Sequence, residues 1–215
     1  MHNEQLPDHP VYAQPVIEFV TAVAEFCLTL ENGSQLSKGE FITRMAKLSS
    51  LLYYKASVLA VPEPVFDDAP ERFVTEGDYN FVMQQTASLL AADDSFLDVF
   101  HPDMSLSDTP IAVTISENIA DVYQEVKDFA ASYQLADTNI MNDALVACLT
   151  SFGEHWGQKL LGGLRAFHAL RYSGNFDEEV DRQDEVKMMS NRDSFFGYRD
   201  DDSEQDNDLL NYFFG

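Results

Sequence analysis

The sequence predicts an all-α fold, an antiparallel helical bundle of about five main helices followed by an acidic C-terminal tail. Apolar residues recur at three- and four-residue spacing over most of the chain between residues 15 and 173. No stretch shows the apolar–polar alternation between turn dipeptides that marks strands. The periodicity stops after 173, where acidic residues dominate. We therefore divide the chain into an N-terminal extension (1–14), a helical bundle domain (15–173) and a flexible, acidic, aromatic-containing tail (174–215).

The first two predicted helices have clear ends. One begins after Pro15 and is ended by the pair Asn32-Gly33. The next begins at Ser37, because Glu40 follows three residues later and the two can form a capping box. The spacing of apolar residues in both helices indicates one face turned to a core.

The middle of the chain mixes loops with shorter helices. Three prolines between residues 61 and 70 predict a surface loop, and Thr75 with Asp78 predicts a second capping box and a third helix. A short helical turn is expected around Phe96 to Phe100. Thr109-Pro110 then predicts the N-cap and first residue of a fourth helix.

The last predicted helix is the longest, from Thr138 to about Tyr172, with Gly174 as its stop. Gly162-Gly163 lies inside it, and a glycine within a helix costs about 1 kcal/mol relative to alanine. We therefore expect either a kink or a close helix crossing at this pair.

The net charge of the chain limits the classes of molecule that it is expected to bind. The chain has 13 Lys+Arg and 37 Asp+Glu, a formal net charge of -24. Such a field repels phosphate backbones and anionic membrane surfaces. We therefore expect no direct nucleic-acid binding and no membrane association, and a protein partner with a basic surface.

The location expected from the sequence is cytoplasmic. The N-terminus lacks the basic and apolar regions of a signal peptide, and charged residues interrupt the longest apolar stretch. Cys27 and Cys148 both lie in apolar helical patterns, so we expect buried free thiols in a reducing compartment.

Several stretches resemble a known bacterial family of all-helical proteins that is called a domain of unknown function. They are Phe100-His101-Pro102-Asp103-Met104, Ser107 to Ala112, Ile115 to Gln124, Trp156 to Leu160 and Ala166 to Tyr172. The resemblance covers roughly residues 15 to 173. It implies an all-α fold and brings no activity, substrate or cofactor with it.

One candidate metal or acid–base site lies in the loop that contains His101, Asp103 and Asp108. An imidazole and two carboxylates close together can ligate a metal or transfer protons. The favoured alternative is turn chemistry, since Asp beside Pro closes loops through its own backbone and Asp108 can cap a helix. No cofactor is expected.

A second candidate is a polar line along the last helix that could bind an anionic ligand if it were buried. The line consists of Glu154, Gln158, Arg165, His168 and Tyr172, and the candidate ligand-binding residues are Glu154, Trp156, Arg165 and His168. The acidic residues of the fourth helix, at four-four-three spacing, are expected to be a solvated face, because the Glu-x-x-His pairs of a di-iron site are missing. They are Glu117, Asp121, Glu125 and Asp128.

The tail contains two aromatic islands within acidic chain, which we expect to contact either the bundle itself or a partner. Their candidate partner-binding residues are Phe195, Phe196, Tyr198, Tyr212, Phe213 and Phe214. The function expected from the sequence is thus a protein–protein interaction or regulatory module for a basic partner, one form of which is mimicry of nucleic-acid charge. The alternative is a metal-dependent or ligand-binding enzyme of unknown reaction; no common catalytic motif occurs.

Overall fold

The all-α class is confirmed by the computed structural model, which describes residues 9–98 and 109–173. Within these residues a π-helical segment, Phe152–Trp156, joins the last two α-helices into one helical run, so the helices form five rods, as predicted. The elements are α1 (Gln14–Glu31), α2 (Lys38–Ser57), α3 (Glu76–Leu90), β1 (Ser95–Asp98), β2 (Ile111–Thr114), α4 (Ile115–Gln134), α5 (Thr138–Ser151) and α6 (Gly157–Arg171). None of these helices is long and apolar enough to cross a bilayer.

Both predicted capping boxes are present. The Ser37 side chain accepts from the Glu40 N–H and the Glu40 carboxylate accepts from the Ser37 N–H, and Thr75 and Asp78 form the same pair at α3. Asn32 is the C-cap of α1, as its position before Gly33 predicted. These local signals set the helix ends because each satisfies backbone groups that the helix itself leaves unpaired.

The core lies between α1, α2, α4 and α6, which pack on one another. The Phe19 and Phe129 rings stack with centroids 5.3 Å apart, and Phe41 meets Phe167 edge-on at 6.0 Å. Cys27 and Cys148 are buried free thiols, as predicted, and burial raises the pKa of both. A raised thiol pKa makes both cysteines poor nucleophiles at neutral pH.

The segment before α4 differs from the prediction. Residues 95–98 pair with 111–114 as an antiparallel two-stranded ribbon, so Phe96 lies in a strand and not in a helical turn. Helix α4 begins at Ile115 and not at Pro110, because its first N–H groups have partners there. Asp94 supplies two of them: its carbonyl accepts from Ile115 (2.7 Å) and its carboxylate accepts from the N–H of Ser116 (2.8 Å). The adjacent Thr114 hydroxyl accepts from the Glu117 N–H, so the cap combines a neighbouring residue with Asp94, which is 22 residues before Ser116.

The pair Gly162-Gly163 marks a close crossing of α6 over α4. A Cβ at Gly163 would lie 2.9 Å from the Ile119 Cδ1, and a Cβ at Gly162 would lie 2.9 Å from the Asn118 Nδ2. Real Cβ contacts are longer than this, so a side chain at either position would displace the end of the Ile119 or Asn118 side chain. The predicted close crossing explains why two glycines are tolerated within a helix.

Ala91 offers a test of backbone strain at the C-terminus of α3. Its φ of 53° and ψ of -118° belong to a region that glycine adopts and alanine avoids. We expect Ala91→Gly to raise the free energy of unfolding by about 1 kcal/mol, measured by chemical denaturation. Ala92→Gly is the matched control, also exposed but without a positive φ, and should lower it by about 0.5–1 kcal/mol. A loss of stability in both variants would contradict the strain at Ala91.

Candidate protein-binding surface

An extended segment, residues 58–75, connects α2 to α3 without regular secondary structure and is here called the strap. Its first anchor is Asp143 on α5, whose side chain is 6% exposed. The Asp143 carboxylate accepts hydrogen bonds from the N–H groups of Val65 and Phe66, each 2.7 Å long. The neighbouring Asn142 amide donates to the Glu63 carbonyl at 2.8 Å and to Asp143 at 3.0 Å. Three successive contacts thus attach the strap to α5.

The second anchor is Asp128 on α4. Its Oδ1 accepts from the N–H groups of Phe73 and Val74, both at 2.7 Å. Arg72 lies 3.7 Å from the Glu125 carboxylate, one helical turn away. The strap is therefore attached to α4 as well as to α5.

The two anchors lie at the same height of a helix pair. Helices α4 and α5 pack together and are joined by residues 135–137, so Asp128 and Asp143 stand about equally far from the turn. Axes of packed helices are about 8–10 Å apart. The strap therefore contacts both helices at a similar distance from the turn that joins them.

The hydrogen bonds at the first anchor change the acidity of its carboxyl group. Burial alone would raise the pKa of Asp143, but the N–H groups of Val65 and Phe66 and the Asn142 amide together lower it below its usual value. Because these donors stabilise the charged form, Asp143 is ionised at neutral pH. The charge of this buried group is thus used to bind the strap.

The exposed side chains of residues 61–81, here called the strap surface, are both apolar and acidic. Phe66 is 51% exposed and Phe81 is 54% exposed. The other large exposed apolar residues here are Val61, Val65 and Phe73. Residues 61–81 contain six acidic residues and one basic residue. All six acidic side chains are exposed: Glu63, Asp67, Asp68, Glu71, Glu76 and Asp78.

A cleft of about 290 Å³ opens where the strap meets α3. Its lining is Glu31, Phe73, Val74, Asp78, Phe81, Tyr123, Lys127 and Ala131. Glu31 accepts a hydrogen bond from the Tyr123 hydroxyl at 2.9 Å and lies 2.7 Å from the Lys127 Nζ. Burial, followed by the charge of Glu31, raises the pKa of Tyr123, so its hydroxyl keeps its proton. The cleft thus combines polar groups with the exposed Phe73 and Phe81.

Three of the four acidic residues of α4 contact other elements, whereas the sequence predicted a solvated face. Asp121 accepts from the Tyr79 hydroxyl at 2.9 Å and lies 2.9 Å from the Lys159 Nζ, so it joins α3 and α6 to α4. Asp128 and Glu125 contact the strap, as described above. Glu117 is exposed and bonds to the N-cap Thr114. The partners lie up to 55 residues away in sequence, and helical spacing contains no signal for them.

The four candidate ligand-binding residues of the last helical run do not meet in one pocket. Trp156 is fully buried in the core, where its Nε1 donates to the Cys148 carbonyl at 2.8 Å. The other three, Glu154, Arg165 and His168, are exposed. Arg165 contacts β1, with its Nη2 3.1 Å from the Leu97 carbonyl oxygen and 3.6 Å from an Asp98 carboxylate oxygen.

The other candidate residues from the sequence lie outside the described residues. These are the metal candidates His101, Asp103 and Asp108 and the tail aromatics Phe195, Phe196, Tyr198, Tyr212, Phe213 and Phe214. Within 9–98 and 109–173, no three His, Cys, Asp or Glu side chains are grouped so that they could hold a metal ion. The strap surface was missed because its prolines indicated only a loop.

Comparison with known proteins gives the family but no activity. Residues 10–173 match a family described as a domain of unknown function, DUF5063. The chain is similar to protein BF1032 from Bacteroides fragilis, with 37% identity and a TM-score of 0.68. That similarity covers 79% of this chain and 99% of the other. No curated protein matches the chain. The match extends over well more than half of the sequence, and the chain therefore belongs to the DUF5063 family.

Proposed function

We propose that this chain is a protein–protein interaction or regulatory module of the bacterial cytoplasm that binds a partner with a basic surface. The observation that carries the proposal is the charge of the domain. Residues 9–98 and 109–173 contain 20 acidic and 9 basic residues. At least six of those basic residues are in ion pairs with acidic residues of the same domain. Of the acidic residues outside these pairs, Asp94 and Asp143 are buried and the others are at least partly exposed.

A protein is a better partner for this surface than nucleic acid or lipid. Phosphate backbones and anionic leaflets are repelled by a negative field, whereas basic protein surfaces are attracted and their association is accelerated. The free, buried Cys27 and Cys148 support a reducing compartment. The strap surface supports protein binding further, because exposed aromatic rings beside charged residues are common at protein interfaces.

The proposal predicts a salt-dependent complex with an identifiable protein. The full chain is used as bait in a bacterial lysate at low and at physiological salt, beside an unrelated protein of similar net charge. We expect one protein that the control bait does not retain, and its purified form should bind more weakly as salt rises. A second bait ending at Ser173 tests whether the tail aromatics add to binding. Only background from the full chain at both salt concentrations would contradict the proposal.

A further inference from the structure

We propose that the strap surface, residues 61–81, is the docking site for an amphipathic basic segment of another protein. This inference rests on the proposed function and assigns it to one surface of the domain. The apolar side chains of the segment pack on Val65, Phe66, Phe73 and Phe81, and its Lys or Arg side chains face the acidic residues between them.

Charge selects the kind of occupant. The surface has six acidic residues and a single basic one, and that base, Arg72, is paired with Glu125 on α4. Asp67 and Asp68 directly follow the exposed Phe66, and Asp78 precedes Phe81 by three residues. A segment with basic residues on one face and apolar residues on another complements both the acidic charge and the exposed apolar side chains of this surface.

Charge also argues against the two occupants that are always available to this chain. The chain's own tail, 174–215, has aromatic islands but contains 13 acidic and 4 basic residues. A second copy of the chain carries the same net charge of -24. Placing either one on an acidic surface brings like charges together, which opposes binding. A basic segment from a different protein gains from the same field.

The anchors of the strap make this exposed surface ordered before a partner arrives. Asp143 and Asp128 each fix two successive backbone N–H groups, so the side chains of Phe66 and Phe73 project from a backbone held at both points. Most of the ordering entropy of the strap is therefore lost during folding and not during binding. The cleft between Phe73 and Phe81 gives one large apolar side chain of the partner a place to enter.

The experiment uses the full chain and a defined probe, an 18-residue fluorescent peptide of Leu and Lys arranged with helical periodicity. Affinity is measured by fluorescence anisotropy at low salt. Two double variants change the strap surface: one combines Phe66→Ser with Phe81→Ser, and the other combines Asp67→Asn with Asp68→Asn. The matched controls are Tyr54→Ser/Leu135→Ser, which are as exposed as Phe66 and Phe81, and Glu117→Gln/Glu154→Gln, which remove the same number of charges elsewhere. Circular dichroism melts confirm that each variant folds.

We expect each strap variant to weaken peptide binding roughly tenfold and each control to change it less than about twofold. A peptide with Ser in place of Leu should bind weakly to every protein. Equal losses in strap and control variants would overturn the inference, because binding would then follow net charge alone.

A photoreactive phenylalanine analogue at position 66 of the full chain identifies the occupant directly. We expect cross-links to the peptide. Cross-links to residues 174–215 or to a second copy that persist with excess peptide would overturn the inference. If a partner captured from lysate binds the strap variants as well as the original chain, the docking site is wrong while the proposed function stands. If no partner is captured at all, the proposed function fails. The peptide titration then shows only whether the strap surface binds a basic amphipathic peptide.

Discussion

Replacing Gly157 with alanine is expected to lower the free energy of unfolding by about 3 kcal/mol, a decrease in Tm of roughly 10 °C. A Cβ at this position would clash with the Phe152 carbonyl oxygen, and that oxygen accepts a hydrogen bond from the Gly157 N–H five residues along the helix. The oxygen belongs to the backbone of the π-helical segment and has no side-chain freedom with which to move away. The Phe152 ring also packs on Trp156 and Tyr53, with centroids 4.6 Å and 5.2 Å away.

The matched control lies four residues earlier. A Cβ at Gly153 would meet no atom within 4 Å, and Gly153 is exposed in the same segment. Gly153→Ala should therefore leave stability unchanged or raise it by up to about 1 kcal/mol, because alanine is the better helix former. Thermal melts of both variants make the comparison. Equal stability of the two would show that the i→i−5 contact does not constrain residue 157.

The long helical run illustrates what the sequence could and could not predict about the fold. Its length and its apolar stripe follow from residue spacing. The cost of two glycines in a helix indicated either a kink or a close crossing, and the structure has the close approach to α4. The π-helical segment left no such signal, because its apolar residues Phe152 and Trp156 also fit the ordinary four-residue spacing of an α-helix. Gly157 was indistinguishable from a surface glycine until its contact with the backbone was known.

Replacing Asp143 with asparagine is expected to lower the free energy of unfolding by about 2 kcal/mol at pH 7. An amide can present only one acceptor to the N–H groups of Val65 and Phe66, and its NH₂ group would face the other N–H. Hydrogen exchange at these two amides gives the local readout and should become faster in the variant. Glu154→Gln, at an exposed carboxylate on the same helical run, should change stability by less than about 0.5 kcal/mol. If hydrogen exchange at Val65 and Phe66 stayed slow in the variant, Asp143 would not be the group that holds the strap.

The loss of stability caused by Asp143→Asn should also depend on pH, in a direction set by the pKa of Asp143. The pKa of Asp143 is lowered in the folded chain, so its contribution to stability is fully present above the unfolded value of about 3.9 and is lost as pH falls through the folded value. The stability difference between the original chain and Asp143→Asn should therefore shrink below about pH 4. Denaturation at pH 7, 5 and 3.5 measures it; a difference that stays constant would contradict the role of the ionised carboxylate.

The candidate surface was less predictable than the fold, for a physical reason. Helix caps such as Ser37 with Glu40 join residues three apart, and the sequence displays them directly. Asp143 and Val65 are 78 residues apart, and Asp128 and Val74 are 54 apart, so their pairing depends on how α4 and α5 pack. From the sequence, the carboxylates of α4 resembled any acidic helix face. Phe66 is one of the residues held by this long-range pairing, and its ring stays 51% exposed.

The two anchors also divide the strap into segments that differ in how well they tolerate inserted residues. Residues 67–72 form a six-residue bridge between two pinned points, and neither end of that bridge depends on the length of chain between them. Doubling the length of a flexible loop costs only about 0.6 kcal/mol in closure entropy. The middle of the strap is thus a natural insertion point, where a short peptide tag or a reporter can be added beside the acidic surface while the helices on either side keep their register.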